Sequence, residues 1–254
     1  MVNKGENTMA LPTLTVPIYS LKVPSTKASI SVRPFLVKEE KILLMAAESE
    51  NDAEMAEGIS QIINNCVQTE DFDVETLTTF DIEYIFLQLR AKSVNEIADI
   101  KIYCQNEVKQ DDGTMAPCAN PVDVKLDLTK IKVKFDKNHN SVIKLEADKG
   151  ITMRLPTIKE LSSLSSGETS ISDRMIAMTG CIETIYDIDQ VYTRKDFSQD
   201  ELNEWADTLT EKQFEMIDTF FKTIPALKHD VKYECKKCAH KGTVTLSGIQ
   251  DFFV

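Results

Sequence analysis

The sequence is poor in glycine and histidine and has no long apolar segment. Its 254 residues include 8 glycines and 3 histidines, which leaves little material for phosphate-binding loops or histidine-based catalysis. No stretch of about 18 apolar residues occurs, so the sequence predicts no transmembrane helix. The N-terminal residues contain neither a long apolar core nor an A-x-A cleavage site. We therefore expect no signal peptide, and a reducing cytoplasm around the six cysteines.

Basic residues are too few to balance the acidic ones. The chain has 29 Lys and Arg against 41 Asp and Glu, a formal net charge of -12. This charge repels phosphate groups, so neither a nucleic acid nor an anionic membrane is expected as a partner. The motifs HExxH, GxxxxGK(S/T) and GxSxG are absent. Acidic pairs such as Glu39 and Glu40 are typical of solvated surfaces, and we expect a protein that is not an enzyme and has no small-molecule substrate.

The distribution of prolines and apolar residues predicts an N-terminal arm followed by one domain. Residues 1–29 contain Pro12, Pro17 and Pro24 and few apolar side chains, which favours an extended arm. This arm is either a disordered tail or a segment that becomes ordered on a partner. We expect residues 30–254 to form a single α+β domain that is mostly helical, with a small antiparallel β unit.

Apolar spacings of three and four residues predict the helices of this domain. We expect helices at 37–48, 54–68, 80–92, 158–165, 172–186, 198–209 and 211–223. Three helix starts carry the capping pattern S/T-x-x-E/Q, at Thr157, Ser198 and Thr210. Cys66 and Cys181 lie on or beside apolar helix stripes and are predicted to be buried packing thiols. Apolar alternation predicts strands in the segments DIKIYC, PVDVKLDL and SVIKLEA.

An internal repeat carries four of the six cysteines. Residues 99–104 (DIKIYC) correspond to 230–235 (DVKYEC), and residues 118–126 (CANPVDVKL) correspond to 238–246 (CAHKGTVTL). Each copy has the order helix, strand, Cys, turn, Cys, strand. The copies differ in the turn, which has 13 residues between the first pair of cysteines and two between the second pair.

This repeat predicts a structural zinc site. Two cysteines at the mouth of a hairpin place two thiolates on one side of a turn, and two such knuckles supply a tetrahedral set. The ligands are predicted to be Cys104, Cys118, Cys235 and Cys238, which bind one Zn²⁺ per chain. The zinc would join the two halves of a split ribbon, residues 96–146 and 228–254.

Alternatives to this site remain open. A lone C-x-x-C motif can be redox-active, but Cys235 and Cys238 precede a strand rather than a helix, which disfavours redox chemistry. His240 could replace one thiolate, or the knuckles could have lost their metal. A catalytic zinc would need an open coordination position, and four cysteines argue against it. His139 lies in a polar turn, DKNHN, and is predicted to be solvated.

Two segments resemble a known family. VRPFLVKEEKILLMAAE (32–48) resembles the entry motif of the T4-type bacteriophage baseplate hub family. QFEMIDTFFKTIPALKHDVKYECKKCAHKGTVTLSGIQDFF (213–253) is similar to its closing signature. Members are hub subunits or hub assembly proteins of contractile-tailed phages, and some carry the paired cysteine knuckles. The resemblance covers most of the chain from residue 30 onwards.

The resemblance implies a structural or assembly role in the central hub of the tail baseplate. The expected partners are other hub and tail proteins, and the expected location is the host cytoplasm during assembly, with or without retention in the virion. The competing hypothesis is a zinc-ribbon adaptor that binds host transcription or replication machinery. A basic patch on the ribbon would favour the adaptor, and the ribbon carries six lysines: Lys101, Lys125, Lys232, Lys236, Lys237 and Lys241.

Overall fold

A computed structural model of the chain describes residues 14–49, 51–109, 113–157, 171–248 and 251. The helices are α1 (Val37–Glu48), α2 (Asp52–Cys66), α3 (Thr79–Ser93), α4 (Ile171–Thr179), α5 (Gln199–Ala206) and α6 (Glu211–Lys222), with short 3-10 turns at Val74–Thr76 and Leu128–Lys130. The strands are β1 (Tyr19–Lys22), β2 (Ser29–Val32), β3 (Ile97–Tyr103), β4 (Glu107–Lys109), β5 (Met115–Pro117), β6 (Pro121–Asp127), β7 (Val133–Lys134), β8 (Val142–Lys144), β9 (Gly150–Met153), β10 (Ile182–Tyr186), β11 (Val191–Thr193), β12 (Ala226–Glu234) and β13 (Lys241–Ser247).

These strands form five antiparallel sheets among the described residues. Their orders are β1-β2, β11-β10-β9-β8, β13-β12-β7, β3-β6 and β4-β5. The prediction of a mostly helical fold with a small β unit is wrong, because the structure is 34% helix and 30% strand. Most of the strands that the sequence did not reveal are two to five residues long, too short for a period-two pattern to register.

One predicted helix is partly a strand. The expected helix at 172–186 ends at Thr179, and Ile182–Tyr186 forms β10 instead. Gly180 follows the helix, and its N–H donates to the carbonyl of Ile176 at 2.9 Å. Glycine readily terminates a helix, and the β-branched residues that follow favour a strand. The predicted helix at 158–165 lies outside the described residues.

Helix α3 lies between two hydrophobic clusters and has few exposed positions. Its residues Leu87 and Ala91 belong to the ribbon cluster, which is formed mainly by the inward side chains of β3, β6, β12 and β13. Ile82, Ile85 and Phe86 belong to the N-terminal cluster, which also contains the buried residues Val23, Ile30, Val32, Ile59, Ile62, Ile63, Cys66, Val67, Val74, Leu77 and Leu89. The helix therefore holds the ribbon against the N-terminal part of the chain. A third cluster joins β8, β9 and β10 to α4, α5 and α6.

The N-terminal hairpin β1–β2 is anchored to α3. Val23 in its turn is 2% exposed. The N–H of Ser25 donates to Asp81 Oδ1 at 2.8 Å, which links the turn to the first turn of the helix. Residues 19–22 of the predicted arm are therefore part of this hairpin.

Two surface predictions are wrong. Glu39 is fully buried, because Arg33 and the N–H of Leu36 donate to its carboxylate at 2.9 and 2.8 Å. His139 is half-buried and packs on the ring of Phe220, with 4.8 Å between ring centroids. None of the described helices is long and apolar enough to cross a membrane.

Candidate metal centre

The four repeated cysteines lie at the ends of two antiparallel hairpins. In the first hairpin, β3 pairs with β6 from Ile97 opposite Asp127 to Tyr103 opposite Pro121. In the second, β12 pairs with β13 from Lys228 opposite Ser247 to Glu234 opposite Lys241. In each hairpin, one cysteine follows the first strand and another lies in the turn that leads into the second strand. The two cysteine pairs therefore lie at the same end of their hairpins, as the predicted strands imply.

The two knuckles share the same backbone hydrogen bonds. The N–H of Cys104 donates to the carbonyl of Asn120 at 3.0 Å, and that of Cys235 donates to the carbonyl of His240 at 2.9 Å. The residue after the second cysteine also donates back in both copies: Ala119 to Cys104 at 2.9 Å and Ala239 to Cys235 at 2.8 Å. The sequence repeat is therefore a structural repeat.

Both knuckles contain an alanine in the left-handed region of the backbone. The φ angles are 50° at Ala119 and 56° at Ala239. This conformation costs a non-glycine residue about 1–2 kcal/mol. Its occurrence at the same place in both copies shows that the turn geometry is imposed by the hydrogen bonds around the cysteines rather than by local preference.

The long turn of the first knuckle does not disturb its geometry. The additional residues form a small hairpin of their own, in which Glu107 pairs with Pro117 and Lys109 with Met115. The N–H of Cys118 donates to the carbonyl of Asn106 at 2.7 Å. The insertion thus projects beyond the cysteines and leaves them in the positions of the shorter knuckle.

The four sulfur atoms converge on one point between the hairpins. Cys104 Sγ lies 3.7 Å from Cys238 Sγ, and Cys118 Sγ lies 3.9 Å from Cys235 Sγ. All four ligand atoms lie within 4.8 Å of one another. A tetrahedral zinc with bonds of about 2.3 Å separates its sulfur ligands by about 3.8 Å. The observed spacing fits that geometry, so this donor set could bind a metal.

The cluster is shielded from solvent on most sides. Cys104, Cys118 and Cys235 are 1%, 6% and 0% exposed, and Cys238 is half-buried. The ribbon cluster beneath them is formed by the inward side chains of both hairpins and by neighbouring segments. Its buried members are Leu87, Ala91, Ala98, Ile100, Ile102, Cys104, Cys118, Leu126, Leu128, Ile131, Leu227, Val231, Tyr233, Cys235 and Leu246.

The thiols differ in their acidity. The backbone N–H of Cys238 donates to Cys235 and lowers the pKa of its thiol to about 6. The backbone N–H of Asn120 lowers the pKa of Cys118, but burial and the thiols of Cys238 and Cys235 outweigh it and raise the pKa to about 11. Burial raises the pKa of Cys104. A metal that binds all four sulfurs must therefore displace protons from buried thiols.

The cluster contains no histidine. His240 is not among the grouped ligand atoms, and its ring lies 6.3 Å from that of Tyr233. Cys66 and Cys181 are fully buried in other clusters, as their apolar stripes predicted. Burial raises the pKa of Cys66 to about 11, which keeps this thiol protonated.

Comparison with known proteins identifies the family. The chain matches the family model of the T4 bacteriophage base plate protein over residues 16–254. The chain belongs to this base plate family. The search of the curated proteins and the search of the solved structures gave no match. The resemblance seen at the two ends of the sequence is thus confirmed at the level of the family, and the match includes both knuckles.

The ribbon of this base plate protein does not present a uniformly basic face. Across the first hairpin, Asp99 lies opposite Lys125 and Lys101 lies opposite Asp123. In the second hairpin, Lys241 lies 3.4 Å from the carboxylate of Glu234. Opposite charges at facing positions neutralise each other.

Two features of the site are not apparent from the sequence. Asn106 Nδ2 lies 3.8 Å from Cys238 Sγ and supports that sulfur from outside the ligand set. No motif marks Asn106, because it lies in the insertion that the second knuckle lacks. The left-handed alanines, Ala119 and Ala239, also have no sequence signal, because alanine disfavours a positive φ.

Proposed function

We propose that the chain is a component of the central hub of the baseplate, and that it acts by binding other hub and tail proteins rather than by catalysis. Membership of the base plate family is the observation that supports this proposal. The family places the protein among tail components, and the resemblance of residues 32–48 and 213–253 narrows the expectation to the hub. We place its site of action in the host cytoplasm during assembly.

We propose that Cys104, Cys118, Cys235 and Cys238 bind one structural Zn²⁺. The sulfur spacing supports this assignment. Four thiolates complete the coordination sphere and leave no position for a substrate, so the ion's contribution is to stability. It would fix the C-terminal hairpin to the hairpin in the middle of the chain, two elements that are separated by more than 100 residues in sequence.

We propose that residues 30–254 form one domain and that residues 1–29 are an N-terminal extension. Helix α3 contributes side chains to both the ribbon cluster and the N-terminal cluster, which supports a single domain. Residues 19–29 of this extension form β1, the turn that follows it and the start of β2, so among its described residues only 14–18 lie outside the hairpin.

Mixing experiments with purified baseplate proteins test the proposed role. The full-length protein should form a stable complex with at least one hub protein of the same phage. The protein inventory of purified virions, compared with that of infected cells, then separates a virion subunit from an assembly factor. If the protein binds host RNA polymerase or replication proteins but no baseplate protein, the adaptor hypothesis replaces the hub assignment.

A further inference from the structure

The segment before β1 exposes apolar side chains at alternate positions. Leu14, Val16 and Ile18 are 86%, 38% and 63% exposed, and the residues between them are also exposed. The segment continues directly into β1. An alternating apolar pattern is typical of a strand with one face buried, yet the described part of the chain covers this face only in part, at Val16.

The backbone of β1 has one open edge. β1 pairs with β2 alone among the described strands, with Tyr19 opposite Val32 and Leu21 opposite Ile30. The N–H of Val23 donates to the carbonyl of Ala28 at 2.9 Å, so the odd-numbered residues form the hydrogen-bonded pairs of this ladder. The N–H and C=O groups of even-numbered residues therefore point away from β2, towards the open edge.

Two prolines end the pairing with β2 but leave the open edge intact. If the register continued, Pro17 would lie opposite Pro34. Neither residue has an N–H, so the ladder cannot extend past Tyr19. Val16 and Ile18 have even numbers and keep their N–H groups on the opposite side. The segment thus has backbone N–H groups that point away from β2 and apolar side chains that are exposed to solvent.

We propose that residues 14–22 form a docking strand that adds to the exposed edge strand of another baseplate protein. This inference rests on the proposed hub function and specifies how the arm binds. Strand addition takes its affinity from backbone hydrogen bonds and its specificity from alternate side chains. The matching partner is an uncharged or acidic edge strand with apolar side chains, because the only charged residue of the segment is Lys22.

The net charge favours a different protein over a second copy of this chain. Each copy carries a formal charge of -12. Two copies repel each other on approach, and a partner with a smaller negative charge is repelled less strongly. The docking strand is thus assigned to a heterologous contact.

A matched pair of proline substitutions tests the proposal. Val16→Pro removes an N–H on the open edge, whereas Thr15→Pro removes one on the other side. Both positions are exposed, and the residue before a proline prefers an extended conformation, so both variants should keep the melting temperature of the parent protein. The affinity of the full-length protein for each purified baseplate protein is measured by calorimetry. We expect Val16→Pro to weaken the binding about tenfold and Thr15→Pro to leave it within about twofold.

Amide hydrogen exchange provides a second readout that also distinguishes even-numbered from odd-numbered residues. In the free protein, the N–H groups of Tyr19 and Leu21 should exchange slowly and that of Ser20 rapidly. In the complex, the amides of Val16, Ile18 and Ser20 should slow at least about tenfold, while that of Thr15 should not.

The outcomes separate this inference from the proposed function. Equal weakening by the two proline variants, or no weakening by either, overturns strand addition and leaves the hub function standing. If no purified baseplate protein binds the full-length chain, both are overturned. If the protein instead forms a dimer that Val16→Pro abolishes, strand addition is retained and the assignment to a heterologous partner is wrong.

Discussion

Removing one sulfur ligand should release the metal and loosen the fold. Cys235→Ser replaces a fully buried ligand in the shorter knuckle. We expect the variant to lose most of its zinc, because three thiolates cannot complete the tetrahedral set. Elemental analysis of protein that was purified without chelator should give about one zinc per chain for the parent and much less for the variant.

The expected loss of stability follows from the loop that the metal closes. Cys118 and Cys235 are 117 positions apart in the sequence. Cross-linking a loop of that length removes chain entropy equivalent to about 5 kcal/mol at 25 °C. For a chain of this size, each kcal/mol shifts the melting temperature by about 2–4 °C. A chelator should therefore lower the melting temperature of the parent by about 10–20 °C, as measured by calorimetry or circular dichroism.

Cys66→Ser is the matched control. Cys66 is also fully buried but lies in the N-terminal cluster, away from the metal centre. This variant should keep its zinc and show the same downward shift with chelator as the parent, even if the new hydroxyl destabilises it. Cys235→Ser should show almost no shift. A parent protein that contains no metal, or a chelator effect of equal size in both variants, would refute the zinc assignment.

Three further predictions concern single residues. Glu39→Gln should destabilise the fold by about 3–5 kcal/mol, because it leaves Arg33 buried without a counter-charge. Burial raises the pKa of Glu39, but hydrogen bonds from Arg33 and the Leu36 N–H hold it below its ordinary value. The Glu39 carboxylate therefore stabilises the fold at neutral pH, and this contribution is lost as the pH falls through its lowered pKa. Urea titrations at several pH values should show this loss in the parent protein and not in Glu39→Gln. Ala239→Gly should raise the unfolding free energy by about 0.5–1 kcal/mol, since it relieves a left-handed alanine. Asn106→Ala should weaken zinc binding about tenfold in a chelator competition, with the fold unchanged.

The convergence of the four cysteines was predictable because a repeat carries them. The flanking strands and the shared cysteine positions fixed which residues should meet, and the structure brings those four sulfurs within 4.8 Å of one another. The capping patterns were equally informative where the structure describes them. Ser198 and Thr210 begin α5 and α6 with reciprocal hydrogen bonds to Glu201 and Gln213.

The remaining features depend on tertiary contacts that leave no local pattern. Glu39 looks like half of a surface acidic pair, and only the position of Arg33 shows why it is buried. His139 lies in a polar turn, but Phe220 from a distant helix covers it. The helix predicted at 172–186 failed because Ile182 and Ile185 fit a helical stripe as well as a strand, and the chain leaves the helix at Gly180 before it reaches them.

Native mass spectrometry of the full-length chain mixed with each purified baseplate protein tests the central claim most directly. One spectrum reports both the partner and the metal. The hub function and the zinc site predict a complex with at least one hub protein, in which this chain carries the mass of one zinc ion. A chain that stays alone beside every baseplate protein would contradict the hub function, and a complex in which it carries no metal would contradict the structural zinc.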